Sequence, residues 1–429
     1  MRIVKLNAEN RKDILSALLK RSTANYTEFE EKVAVILKDV KEKGDEALFS
    51  YTQKFDGFDL NEGNIRVTDA EIKEAFSKVD EEYVKVMKDA AENITAFHKK
   101  QLRQSWIDTK DDGSILGQKI TPIEKAGIYV PGGKAAYPSS VLMNILPAKV
   151  AGVSKVIMTT PPGKDGKVNP GTLVAASIAG ADEIYKVGGA QAIGALAYGT
   201  KSVPKVDKIT GPGNIFVALA KKAVYGNVGI DSLAGPSEII VLADETANPR
   251  YVAADLLSQA EHDEMASAIL VIVSEKLAEK VSEEVDKFLL NLERRDIIKA
   301  SLDNFGYILV AKDESEAVDT VNEIAGEHLE ILTANPFETL TKIKNAGAIF
   351  LGEYSSEPLG DYFAGPNHII PTNGTSRFFS PLSVDDFIKK SSIIAYSKEG
   401  LEKVHQEIEY FAEKEGLTAH ANSVRVRFE

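Results

Sequence analysis

The chain has 429 residues, 44% of them hydrophobic and 27% charged, which is the balance of a folded protein and too much length for one ordinary core. A net charge of −13, with no block of Lys and Arg, argues against a nucleic-acid partner, because phosphate binding needs clustered cations. There is no cysteine, which excludes disulfides, thiolate metal sites and thiol nucleophiles together.

An acidic chain suits a substrate that carries positive charge. The opening MRIVKLNAENRKDIL turns polar early, without an apolar run of signal-peptide length. The apolar stretch Val141–Ile157 is interrupted by Asn144, Pro147 and Lys149, well short of a membrane span. The expectation is therefore a cytoplasmic enzyme with no membrane partner.

In chain order, the first ~125 residues read mostly as helices, with apolar positions at three- and four-residue spacing over Phe29–Leu48 and Ile72–Phe97. From Gly127 the pattern changes to short β-rich runs, Gly127–Val130, Val156–Thr160 and Glu183–Val187, separated by helical stretches. A second series places strands at Glu238–Leu242, Ala268–Val273, Tyr307–Val310, Leu329–Leu332 and Ala348–Leu351. Helices at Arg250–Glu261 and Glu275–Leu292 alternate with them. Such alternation implies right-handed βαβ units and parallel sheets. Two open α/β units are expected, the first inserted between parts of the second. The tail from about Ser380 carries helical pattern at Ser383–Lys389 and Lys398–Lys414.

Three glycine-rich turns follow predicted strands: Val130–Gly133, Val187–Gly194 and Thr210–Asn214. At such turns free backbone N–H groups and a helix dipole can face an anion. None matches G-x-G-x-x-G, so they fit either nucleotide binding or glycine supplying positive φ in a tight turn. Tyr129, beside the first, suits stacking on a flat cofactor ring or a place in the core.

Of the six histidines, His98 beside Lys99 and Lys100, and His405 in a Lys/Glu-rich helix, read as solvated. Gln259 and His262 stand i and i+3 on a predicted helix, where both can reach a single ion. Asp361 lies in an irregular Pro/Gly-flanked segment, His368 follows it, and His420 is near the end of the chain. Two imidazoles, a carboxylate and an amide oxygen suit zinc without thiolates. Unrelated hydrogen-bonding residues remain the alternative for such scattered positions. The neighbours Glu327 and His328, where a helical pattern meets a strand, offer two bases of different strength.

Taken in order, GIYVPGG, VGGAQAIGALAYGT, KITGPGN, AGPSE, DLLSQAEH, AGEHLE, GDYFAGPNH and EGLTAH resemble the signature segments of the histidinol dehydrogenase family, from Gly127 to His420. The resemblance implies NAD-dependent, four-electron oxidation of L-histidinol through L-histidinal to L-histidine, the last step of histidine biosynthesis. Gln259, His262, Asp361 and His420 would hold one zinc per subunit and line the substrate site. Ser237, His328 and Glu415 would also contact substrate, and Tyr129, Gln191 and Asn214 would contact NAD. Glu327 and His328 would be the proton acceptors. His368 is read separately, as a second-tier polar group lining the site, outside this set.

The family fold implied is two incomplete Rossmann-like open-sheet domains, one inserted in the other. The implied division is a helical segment at 1–22, a main α/β domain at 23–126 and 236–380, an NAD-contacting insert at 127–235, and an arm at 381–429. In a homodimer that arm would complete the partner's active site with Glu415 and His420. A related zinc/NAD dehydrogenase of another small polyol, such as a sulfonated diol, is the rival within the fold. Glu415 disfavours it, because an anionic substrate would not seek a carboxylate. A zinc hydrolase, with no NAD requirement, is the rival of another class.

Overall fold

The protein was analysed as a computed structural model that describes residues 1–20, 26–132, 137–233 and 235–429. Gly133 of the first glycine-rich turn, Ala234 of the AGPSE segment and the expected boundary at residue 22 lie outside them. Arg2–Lys5 forms strand β1, and helices occupy Ala8–Lys20, Thr27–Lys43, Asp45–Asp56, Asp69–Lys78 and Glu81–Lys99. Strands β2 (Trp106–Thr109) and β3 (Ile115–Pro122) follow. The first alternating series gives β4 (Lys125–Tyr129), β5 (Lys155–Thr159), β6 (Glu183–Tyr185), β7 (Lys208–Thr210) and β8 (Gly229–Ile230). The second gives β9 (Glu238–Ala243), β10 (Ser267–Ile272), β11 (Gly306–Val310), β12 (His328–Leu332) and β13 (Ala348–Leu351). Strand β14 (Ile388–Ala395) and helices Lys398–Glu402, His405–Lys414 and Thr418–Arg425 close the chain.

The α/β expectation holds as two open sheets. One has five parallel strands in the order β6-β5-β4-β7-β8, the other six in the order β1-β11-β10-β9-β12-β13. Every residue of β9 to β12 is buried, as a parallel sheet covered on both faces requires. Strand alternation splits the core: Ile239, Val241 and Ala243 join one apolar cluster, Ile240 and Leu242 the other. Both sheets belong to one compact unit, Met1–Gln101 with Ile123–Phe387.

Helices from the first hundred residues cover the five-stranded sheet. Val33, Ile36, Leu37 and Val40 of helix 27–43 pack with Ala192, Ile193 and Leu196. Met87, Ala90, Ala91 and Ile94 of helix 81–99 pack with Val141, Met143 and Ile145. His98 continues the buried face of that helix and is itself fully buried, not solvated. Its spacing of four from Ile94 outweighs the charged neighbours Lys99 and Lys100. The Nδ1 atom lies 2.7 Å from Gln101 Oε1, and burial lowers the pKa.

The second unit, Leu102–Pro122 with Ile388–Glu429, holds the antiparallel sheet β14-β3-β2. Helical pattern at Ser383–Lys389 gives way to a short 3-10 turn and then β14, whose eight residues pair with β3 from Ile388 opposite Pro122 to Ala395 opposite Ile115. Cross-strand partners override local periodicity here. Strand β1 likewise departs from the helical reading of the amino-terminal region. Four residues are too few to display a period, and the strand is defined by its ladder with Tyr307–Val310. Among the described residues no helix is long and apolar enough to cross a membrane.

Ile239 is fully buried at the centre of the six-stranded sheet. Ile239→Ala should cost about 2–5 kcal/mol, read as a lower denaturant midpoint of the first unfolding transition; an unchanged midpoint would contradict that packing.

Candidate active site

Two sheet edges, not one, build the site. In the six-stranded sheet β9 and β12 are parallel neighbours with His328 level with Ile239. Their amino ends therefore lie side by side and bring Ser237, Glu238, Glu327 and His328 together. Helix Glu314–Ile324 stops at Ala325, a left-handed residue with φ of 51°. Gly326 then passes so close to β9 that a Cβ there would stand 2.6 Å from Ile240 Cδ1, so a larger residue on the approach to Glu327 would have to displace that buried side chain.

Glu327 and His328 are both buried. Glu327 Oε2 accepts from the Glu238 backbone N–H at 2.9 Å. His328 Nδ1 lies 3.0 Å from the Glu238 carbonyl oxygen. A carbonyl can only accept, so Nδ1 carries the hydrogen and Nε2 is the nitrogen left for chemistry. Nε2 is buried without a hydrogen-bond partner. It points at two carboxylates, 3.6 Å from Asp361 Oδ1 and 3.8 Å from Glu357 Oε1.

Both carboxylates ride on the short helix Glu357–Tyr362. Its first N–H is held by Glu330, whose Oε1 accepts from Glu357 N at 2.8 Å. Glu330 is two residues along β12 from His328, so the two side chains leave the same face of the strand. Burial pushes the Glu357 carboxyl up to about 8, with Asp361 adding repulsion. Burial also works against the Asp361 charge, but His328 and His368 outweigh it and hold that group at about 2. Burial likewise opposes a charge on His328, yet Glu327 and Asp361 together raise its pKa well above the ordinary value. Asp255 is lifted to about 6 by burial, and Glu330 is raised by burial and by Asp255.

Among the described residues, His328, Glu357 and Asp361 form a group whose ligand atoms lie within 4.8 Å of one another. Gln259 is in the last turn of helix Pro249–Ala260, buried, with neither amide atom hydrogen-bonded. His262 is not on that helix. It follows the helix end in a turn where Asp263 Oδ1 takes the Met265 N–H at 2.8 Å, and its side chain is exposed. The expected single helical face for Gln259 and His262 is thus interrupted by an Asp-nucleated turn. His328, Asp361 and His368 line a cavity of about 530 Å³, with Asn367, Phe97 and Gln101 also on its wall. His368 donates from Nδ1 to the Asp361 carbonyl at 2.9 Å, which leaves its Nε2 to accept from Ser140 Oγ at 3.2 Å.

Ser140 begins the helix after β4, so this bond ties the catalytic edge to the five-stranded sheet. In that sheet the strand order reverses between β4 and β7, the switch point where open α/β sheets bind ligands beyond their carboxyl ends. Tyr129 ends β4. It is buried in the apolar core, its hydroxyl accepts from Gly189 N at 3.1 Å, and burial raises its pKa to about 12. Asn214, beyond β7, is exposed and caps helix Ile215–Val224 through Phe216 N and Val217 N. Gln191 is buried, with its Oε1 unpartnered.

Glu415 and His420 belong to the second unit. Both are exposed and flank an apolar groove that includes Ile408, Phe411 and Leu417. Sequence reasoning missed Glu357, Glu330 and Asp255. The readable signal was Glu330 itself, a charged residue inside the apolar strand His328–Leu332.

A family model described as histidinol dehydrogenase matches residues 19–428. A histidinol dehydrogenase of Clostridium acetobutylicum is 56% identical over 428 residues, covering 100% of this chain and 99% of the relative. One from Halalkalibacterium halodurans is 58% identical over 415 residues, covering 96% and 97%. The chain belongs to the histidinol dehydrogenase family. The crystal structure of histidinol dehydrogenase from Elizabethkingia anophelis matches with a TM-score of 0.94 at 38% identity, covering 100% of this chain and 98% of that one.

As a member of the histidinol dehydrogenase family, the chain is an oxidoreductase acting on CH–OH donors. The family uses zinc and NAD, and the site offers donors that suit a metal ion. Unpartnered buried atoms on Gln259, Glu357 and His328 are costly unless something binds them, and oxygen and nitrogen donors fit a borderline-hard divalent ion.

The raised acids also give a pH signature. Asp255 at about 6 and Glu357 at about 8 keep protons that the unfolded chain has already released above about pH 4–5. Metal-free protein should therefore lose stability as pH rises through this window. Glu330→Gln should make the fall in thermal midpoint between about pH 5 and pH 8 shallower. An unaltered slope would contradict the coupling.

Proposed function

We propose that this chain catalyses the four-electron oxidation of L-histidinol through L-histidinal to L-histidine, with NAD as oxidant. The observation that carries the reading is the unpartnered His328 Nε2, aimed at Asp361 beside the cavity, in a chain of this family. We assign zinc binding to Gln259, His262 and Asp361, with His420 of the partner subunit. Zinc, when bound, orients the imidazole and amine nitrogens of the substrate, and NAD accepts the hydrides.

The chain's own residues handle the protons. His328, anchored through Nδ1, takes the alcohol proton at Nε2 as the carbinol hydride departs. Glu327 and Asp361 favour a proton on that ring, and a cation engaging the Asp361 charge would weaken that pull. Glu327 then accepts a proton from water as it adds to the aldehyde, and the resulting hydrate gives up the second hydride to NAD as its hydroxyl proton leaves to solvent. Without cysteine, a hydrated aldehyde replaces a thiohemiacetal.

Ser237 contacts the substrate, and Glu415 of the partner subunit accepts from the substrate imidazole N–H. Tyr129, Gln191 and Asn214 contact NAD. The orphaned Gln191 oxygen and the switch-point position support this placement. We assign the working form to a homodimer in the cytoplasm. The exposed apolar groove that Glu415 and His420 flank supports an arm that meets another chain.

Complete turnover should yield about two NADH per histidinol, since each NAD takes two of the four electrons. A ratio near one with free aldehyde accumulating would defeat the scheme. His328→Asn should slow the first hydride transfer by about 10²–10⁴-fold, and Glu327→Gln should by a similar factor impair mainly oxidation of added histidinal. Equal losses in both half-reactions for both variants would rule out this division. Dialysed His420→Asn should retain less zinc; full metal content would remove it from the ligand set.

A further inference from the structure

The turn Thr210–Asn214 is gripped from behind by a buried ion pair. Gly211 has φ of 118°, and a Cβ there would stand 2.0 Å from the Tyr129 carbonyl oxygen, so the turn is pressed against the end of β4. Both backbone groups of Gly211 are taken. Its N–H donates to Asp231 Oδ2 at 2.8 Å, and its carbonyl accepts from Lys221 Nζ at 2.9 Å. Lys221 and Asp231 also contact each other, and their side chains are only 3% and 5% exposed. The Ser232 carbonyl, 3.3 Å from Nζ, takes the remaining donor.

A lysine on the helix behind a glycine-rich turn invites assignment as a phosphate ligand. Here its Nζ is engaged by two backbone carbonyls and by the Asp231 carboxylate, in a place that solvent barely reaches. Burying an ion pair is a poor way to gain stability, because apolar residues of similar size usually serve as well. What apolar residues cannot do is hold the two peptide units on either side of one residue, one through its N–H and the other through its C=O.

We propose that Lys221 and Asp231 are positioning residues for the dinucleotide, fixing the Gly211 peptide so that the turn is already shaped when NAD arrives. This rests on the reading of the turn as part of the NAD site. The pair touches neither reacting atoms nor zinc, so its effect falls on cofactor affinity alone. Ordering the turn in advance removes a cost that NAD would otherwise meet on binding.

The test uses the zinc-loaded enzyme and full steady-state kinetics. Lys221→Met removes the donor to Gly211. Lys221→Met with Asp231→Leu does so without stranding a buried carboxylate, and keeps the test open if the single variant folds poorly. Each should raise KM for NAD about tenfold, with kcat at saturating NAD and KM for histidinol within about twofold of the parent. A folded double variant with the parental KM for NAD would overturn the proposal. So would a loss confined to kcat and thermal stability. Asn214→Ala separates the two readings. If it raises KM for NAD while the pair variants do not, the positioning role fails and the NAD site stands. If all three leave KM for NAD unchanged, the NAD site itself is misplaced.

Discussion

The parallel pairing of β9 with β12 sets the Glu238 carbonyl beside His328 and thereby decides which ring nitrogen is available. The rest of the site is arranged around that orientation. With Nδ1 engaged, Nε2 faces the helix that carries Glu357 and Asp361, and the same strand, through Glu330, holds that helix by its first N–H. One strand thus aims the imidazole and its acidic counterpart together. A slip of one residue in β12 would turn both side chains to the opposite face.

The same region concentrates groups that a packed interior normally avoids. Buried polar atoms on His328, Gln259, Glu357 and Glu330 lack hydrogen bonds, whereas the surrounding sheet packs apolar clusters on both faces. Local conflict of this kind is expected where folding yields to chemistry. The buried Lys221–Asp231 pair is of another kind, because its two charges face each other and the object it holds is backbone.

Much of the scaffold was legible. Short apolar runs such as Glu238–Leu242 and Ala268–Val273, alternating with helices, announced a parallel sheet, and the adjacent Glu327 and His328 were visible as a pair of bases. The residues that escaped notice depend on contacts between distant segments. Glu357 meets His328 only because Glu330 captures its N–H. His98 is buried because its helix face continues from Ile94, which a reading of its immediate neighbours cannot reveal. Strand β14 exists through its ladder with β3, and His262 leaves its helix because Asp263 starts a turn.

The two sheets present opposite edges to the site, carboxyl ends on one side and amino ends on the other, joined by the Ser140–His368 bond. Helices Gly189–Tyr198 and Ile215–Val224 begin at the first edge, and helix Pro249–Ala260 finishes at the second. Peptide dipoles therefore leave positive ends where the dinucleotide would lie and a negative end beside Gln259. On the proposed reading, the backbone alone would sort two guests of opposite sign, a pyrophosphate and a metal cation, to different sheet edges.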